Sequence, residues 1–216
     1  LGDVYKRQDT KGVHIGAMTT LQSIADDRIL KELAGGLLAH AARVSSSRLI
    51  RNSATLGGTL GAGAVSQADL LTALAVLDTQ AILRSGTKTQ VNLSAGTMNR
   101  PGLALSGVTY KGKQERSVLC TSLSAERRPP ELIVEVQVPR PSYSSGASFL
   151  RIGRTPTDVA LLNAAALVEI ANGTYQRLRL ALGGVNMEPI RLHVVEEQLE
   201  GQPVDTANNT VDMQRL

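Results

Sequence analysis

The sequence predicts an α+β fold, with helices and strands in separate runs rather than in strict alternation. Three observations carry this. From Leu21 to Leu77 apolar residues recur mainly at helical spacing, whereas from Glu131 to Leu182 they form short strand-length stretches. Between two of those stretches stands Ala171-Asn172-Gly173, an Asn-Gly turn of the kind that suits a type I′ hairpin.

The elements follow in order. Leu1 to Gln8 show no apolar period and are expected to be a foreign or spurious leader outside the fold. Val13 and Ile15 alternate as a short strand, and Thr20 is placed to cap a helix with the face Leu21, Ile24, Leu30 and Leu33. Gly35-Gly36 breaks that helix, and Leu37 to Val44 form a second one. A glycine-rich stretch then leads to Ser66, read as an N-cap, and a helix carrying Leu70, Leu71, Leu74 and Leu77. Ala81-Ile82-Leu83 and Val91-Asn92-Leu93 read as a hairpin turning at Ser85-Gly86-Thr87-Lys88, with residues 94–102 as loop. Arg127-Arg128-Pro129-Pro130 is a linker-like break before a strand at Glu131. We therefore expect two domains, residues 9–115 and 125–216, with the boundary near 110–130. Leu192, Val195 and Leu199 mark a last helix, stopped by Gly201.

Composition narrows the function classes. Of 216 residues 42% are hydrophobic but only 2% aromatic, so the core is aliphatic and no aromatic platform exists for stacking bases. The net charge of +4 comes from dispersed Lys and Arg, which reads as a solvated basic surface rather than a nucleic-acid site. A single cysteine, Cys120, excludes an internal disulfide; it reads as a buried strand thiol and points to a reducing, cytoplasmic setting. His14, His40 and His193 are far apart and lack metal-ligand spacing. No apolar run reaches membrane-spanning length.

Residues 50–69 are the most informative segment: Ile-Arg-Asn-Ser-Ala-Thr-Leu-Gly-Gly-Thr-Leu-Gly-Ala-Gly-Ala-Val-Ser-Gln-Ala-Asp. Glycines this dense let a backbone approach a ligand closely, with positive φ available, and successive N–H groups can form an anion-binding nest. The pattern is neither a Rossmann fingerprint nor a P-loop. From residue chemistry alone, a ligand loop and a tight structural turn stand equal.

Arg51-Asn52, Thr55-Leu56-Gly57-Gly58 and Ala68-Asp69 together resemble the flavin signature of the molybdenum hydroxylases, in the FAD-binding subunit or domain of xanthine and carbon monoxide dehydrogenases. Further segments fall in the family's order: Ile15 to Leu21, Glu131 to Pro139, Phe149 to Arg154, and Leu182 to Val185 with Pro189 to Arg191 and Leu199 to Gly201. The resemblance runs from about Val13 to Gly201. It departs at Thr59, where the family commonly has Asn, and in a Thr55-to-Asp69 spacing one residue longer than usual. The family's earlier subdomain, with its own glycine loop, has no counterpart, so the chain is expected to be an N-terminally truncated piece.

The resemblance implies the second subdomain of a vanillyl-alcohol-oxidase or PCMH-like FAD-binding domain, followed by a smaller α+β domain with an antiparallel sheet. It implies FAD contacts at Ala54, Thr55, Gly57, Gly58 and Thr59, through amides and hydroxyls. Asp69 is then expected at the hydroxylated part of the cofactor, Ile133 against its ring, and Arg151 as a cation beside the ring where the family usually has Lys. The implied role is electron transfer from iron–sulfur clusters to NAD or another acceptor. A molybdenum-binding large subunit and an iron–sulfur small subunit, carrying the molybdenum cofactor and the clusters, are the implied partners. A structural subunit that has lost flavin, or a stand-alone FAD oxidoreductase of the wider fold, are the alternatives.

Overall fold

A computed structural model describes residues 6–10, 12–62, 68–92, 106–141, 145–155, 157–186 and 188–204. The Ser66 cap and the loop at 94–102 lie outside these residues. The chain opens with two strands, β1 (Lys6–Gln8) and β2 (Gly12–Gly16), then helices α1 (Leu21–Asp26) and α2 (Arg28–Glu32). Thr20 caps α1 as expected, its hydroxyl accepting from the Ser23 N–H. The expected single helix is nevertheless two, because Asp27 adopts an extended backbone and starts α2 by accepting from the Leu30 N–H. Ala34, Gly35 and Gly36 then take left-handed conformations, and α3 (Leu37–Val44) follows with the predicted bounds.

Next come α4 (Arg48–Ser53), α5 (Leu56–Ala62) and α6 (Ala68–Val76). Strands β3 (Gln80–Asn92) and β4 (Ser106–Leu119) pair along their length. The turn expected at residues 85–88 is therefore not a turn. Strand β3 runs through it, and Gly86 falls at a register shift between Ser85 and Thr87, the kind of bulge that glycine accommodates. Cys120 lies just past β4 in a 3-10 turn, Cys120–Ser122, and not in a strand. It is half-buried, and burial pushes its thiol up to about 11, as befits an inert side chain.

After α7 (Leu123–Glu126) comes β5 (Leu132–Pro139), which inserts between β2 and β3. The first sheet has the order β1-β2-β5-β3-β4. Two expectations fail here. The Arg-Arg-Pro-Pro break is a loop but not a partition between sheets, because the strand after it returns to the first sheet. Residues 6–8, assigned to a leader, form that sheet's edge strand, with Lys6 opposite Ile15. The sheets divide between Pro139 and Ser145.

The second sheet is antiparallel, β6 (Ser145–Ile152), β7 (Leu162–Ala171), β8 (Thr174–Gly183) and β9 (Ile190–Arg191), in that order. Asn172 and Gly173 close its central hairpin with φ of 54° and 70°, as the Asn-Gly signal predicts. Helix α8 (His193–Leu199) ends at Gly201, whose φ is 82°.

The core is one aliphatic cluster that includes Ile15, Val136 and Leu83 of the first sheet, Leu21, Ile24 and Leu38 of the helices, and Ala165, Leu167 and Ala181 of the second sheet. Helix α6 lies in the middle, with every residue buried. Its C-terminal end is gripped by arginines from the second sheet. Arg191 donates to the Ala75 carbonyl and to Asp78, while Arg179 donates to the other Asp78 oxygen. Burial opposes ionisation of Asp78 and of Glu196, but hydrogen bonds from the arginines outweigh it and hold both carboxyls below their ordinary values.

Arg191→Ala should cost about 3 kcal/mol, because it leaves the buried Glu196 without its cation and Asp78 with only Arg179. The acid limb supplies the sign. Both carboxyls are depressed in the folded state, so their contribution is complete above ordinary values of 4.5 and 3.8 and fades as pH falls below these. Thermal midpoints measured from neutral to strongly acid pH should fall less steeply in Arg191→Ala than in the parent chain; parallel curves would refute the grip.

Candidate functional site

From Leu56 to Ala62 the glycine-rich segment is helix, not loop. Neither Gly57 nor Gly58 uses positive φ. Three glycines among the seven residues of α5 make a poor helix by propensity, at about 1 kcal/mol each. Tertiary hydrogen bonds hold it. The Leu56 N–H donates to the Thr19 carbonyl at 2.9 Å and the Gly57 N–H to the Ala17 carbonyl at 2.8 Å. The Gly58 N–H donates to Thr55 Oγ1 at 3.1 Å, so Thr55 acts as an N-cap. Ala17 in turn donates to the Val134 carbonyl of β5, tying the helix start to the first sheet.

The residue at 57 is glycine because of close approach. A Cβ there would stand 2.7 Å from the Ala17 Cβ and 3.1 Å from its carbonyl oxygen. Gly58 is exposed, and a Cβ on it would meet only the Thr55 hydroxyl at 3.0 Å. The first-turn amides expected to cradle an anion are thus spent within the protein. What remains is hydroxyl chemistry. Thr55 Oγ1 accepts from Gly58 and still has a proton to donate, and Thr59, 3% exposed, keeps a hydroxyl with no partner among the described residues. Thr19 Oγ1 is also buried and unpartnered beside the start of α5. A buried hydroxyl without a partner costs about 1–3 kcal/mol, which a cofactor oxygen would recover. On those observations the residues of α5 fit the phosphate or ribityl oxygens of a flavin dinucleotide. Ala54 ends α4, its carbonyl accepting from Leu21 at 2.9 Å, and Ile133 lies half-buried on β5, opposite Leu83.

Asp69 and Arg151 are brought together elsewhere, where the Arg151 side chain of β6 reaches the first turn of α6. Arg151 Nε donates to Asp69 Oδ2 at 3.0 Å, and their side chains are 11% and 3% exposed. Two other guanidinium nitrogens donate to the Thr155 and Asp158 carbonyls. Asn163 completes the cluster, its Nδ2 donating to Asp69 Oδ1 at 2.7 Å. The expected cation is therefore ion-paired, and the expected cofactor acid already has a bond on each oxygen. Asn163 was not legible in the sequence: it is 94 residues from its partner, and no local pattern marks it.

Relatives place this geometry. The family described as FAD binding domain in molybdopterin dehydrogenase matches residues 3–141, and the CO dehydrogenase flavoprotein C-terminal domain matches residues 147–214. The first match begins inside the stretch expected to be a leader, and the two meet where the sheets divide. The glyceraldehyde dehydrogenase medium chain of Sulfolobus acidocaldarius is 26% identical over 93% of this chain and 63% of its own length. A putative xanthine dehydrogenase FAD-binding subunit of Escherichia coli is 24% identical over 94% of this chain and 65% of its own. The chain thus spans less than two thirds of these relatives. Carbon monoxide dehydrogenase from Hydrogenophaga pseudoflava shares the fold, with a TM-score of 0.74 at 21% identity over 94% of this chain and 62% of that one. The chain belongs to the family of FAD-binding domains in molybdopterin dehydrogenases, the medium subunits of the molybdenum hydroxylases.

Proposed function

We propose that this chain is the electron-transfer subunit of a molybdenum hydroxylase complex. It would receive electrons from iron–sulfur clusters on a small partner subunit, downstream of a molybdenum-binding large subunit, and deliver them to NAD or another acceptor. The observation that carries the reading is α5, where the family's flavin signature coincides with an exposed Gly58 and the orphaned, buried Thr59 hydroxyl. When bound, FAD supplies the redox chemistry; the protein binds, orients and tunes it. Thr55 and Thr59 would donate to cofactor oxygens, Gly57 and Gly58 would let the backbone come close, and Ala54 and Ile133 would offer apolar contact. Asp69 and Arg151 would act on the cofactor as a neutral pair rather than as an acid and a cation. No described helix is long and apolar enough to cross a membrane, and the single thiol supports a cytoplasmic setting.

A second reading is favoured by the spent amides of α5: a subunit that keeps the fold without flavin. Purification from its own cells separates the two. Stoichiometric FAD, with molybdenum and iron–sulfur subunits travelling in the same complex, is the expected result; a complex without flavin supports the second reading.

Thr59→Val removes the hydroxyl at nearly constant shape. In the flavin-bound protein it should raise the FAD dissociation constant roughly tenfold, the worth of one hydrogen bond to a charged or strongly polar oxygen. Without flavin it should leave the chain as stable as before or more so. If FAD affinity is unchanged, Thr59 is not a cofactor contact.

Arg151→Ala strands the buried Asp69 carboxylate, and the expected loss is about 3 kcal/mol in thermal or denaturant unfolding. Arg151→Lys should recover only part of it, because a point charge cannot reproduce the fork that reaches Asp69 and two carbonyls. Wild-type stability in Arg151→Ala would mean that the pair contributes nothing to holding the second sheet on α6.

A further inference from the structure

The amides at the start of α5 are committed to Thr19, Ala17 and Thr55. Hydroxyls can donate to a diphosphate but cannot neutralise it, so a dinucleotide lying on this helix needs a cation. Arg51, next to the signature in sequence, is turned to Gln22 and to the Arg43 and Ser46 carbonyls through Nε and Nη1. Arg127 is not. Its Nη1 lies 3.2 Å from where a Cβ on Gly61 would stand, so the guanidinium rests on the glycine face of α5. The side chain is exposed and makes no ion pair or hydrogen bond among the described residues.

The segment around Arg127 explains why its charge is left uncompensated. Arg116 takes both neighbouring acids, with Nε on Glu131 at 2.8 Å and Nη1 3.6 Å from Glu126, and also donates to the Glu126 carbonyl. Hydrogen bonds from Arg116, then from the Arg128 N–H, hold the Glu131 carboxyl at about 2. The backbone is pinned on both sides of Arg127, which also donates its own N–H to Leu123. A fixed backbone thus presents a charged fork over Gly61 of α5.

We infer that Arg127 is a cofactor-binding residue: its guanidinium holds the FAD diphosphate against α5, as the cationic complement to the Thr55 hydroxyl. A planar fork with several donors matches phosphate oxygens in geometry as well as charge. The inference rests on the reading that FAD lies on α5.

The test compares FAD with riboflavin, which lacks phosphate, by flavin fluorescence quenching on the full chain, Arg127→Gln and Arg127→Lys, at low and high salt. Arg127→Gln should weaken FAD binding roughly tenfold or more, as for loss of a charge-assisted hydrogen bond. It should flatten the salt dependence of FAD binding, while riboflavin affinity and the thermal midpoint stay at wild-type values. Arg127→Lys should restore the salt dependence and much of the affinity. If both flavins weaken equally, or the midpoint falls while FAD affinity holds, Arg127 merely caps the last turn of α5 and the inference is overturned. FAD binding untouched in Arg127→Gln overturns it alone; a wild-type chain that binds neither flavin overturns the reading it rests on as well.

Discussion

The structure depends on burying α6 on every side. A helix with no solvated face cannot leave its ends to water, and its terminal groups need partners from the elements packed on it. The second sheet supplies them at both ends. Arg151 and Asn163 meet Asp69 in the first turn, and Arg191 and Arg179 meet the Ala75 carbonyl and Asp78 beyond the last. Arginine suits each place because one planar fork can bond several oxygens at once. Gly183 permits the approach: a Cβ there would stand 2.0 Å from Thr72 Oγ1 and 2.4 Å from Asn163 Oδ1. Ion pairs this buried are not strong stabilisers in themselves, since desolvation offsets their attraction. Their physical effect is on register, because every other placement of the sheet on α6 leaves a buried charge alone.

The same grip joins the site to the rest of the molecule. Helix α5 rests on the first sheet through Ala17 and Val134, and α6 carries the signature's acid into the second sheet. A change in how β7 and β8 sit on α6 therefore reaches the signature through packed, hydrogen-bonded elements. His40 against Phe149, edge to face at 6.0 Å, and Ala147 beside Gly35 extend the contact to the first helices.

What could be read in the sequence was local. Thr20 as a cap, the Gly35-Gly36 break, the bounds of α3, the Asn172-Gly173 turn and the Gly201 stop each need only their immediate neighbours, and all stand where expected. The failures needed distant partners. Residues 85–88 carry turn chemistry, but pairing with β4 keeps β3 extended through them. Arg127 to Pro130 break the chain, yet composition does not say to which sheet the next strand returns. The Asp69–Arg151–Asn163 cluster joins residues 82 and 94 apart, which no spacing rule reaches.

The glycine segment shows why a family motif and its chemistry have to be argued separately. Read for propensity it is a loop that lends amides to a phosphate; folded, it is a helix because Ala17 and Thr19 offer carbonyls to its first two N–H groups. Gly57 is needed for that packing whether or not a cofactor is present, since any side chain would strike Ala17. Retention of this glycine therefore cannot by itself tell a flavin-bound subunit from one that keeps only the fold. We propose that the Thr59 hydroxyl does. Packing places no demand for a buried oxygen there, and valine would fill the same space without a desolvation cost. We propose that a bound cofactor accounts for this hydroxyl, which has no partner among the described residues.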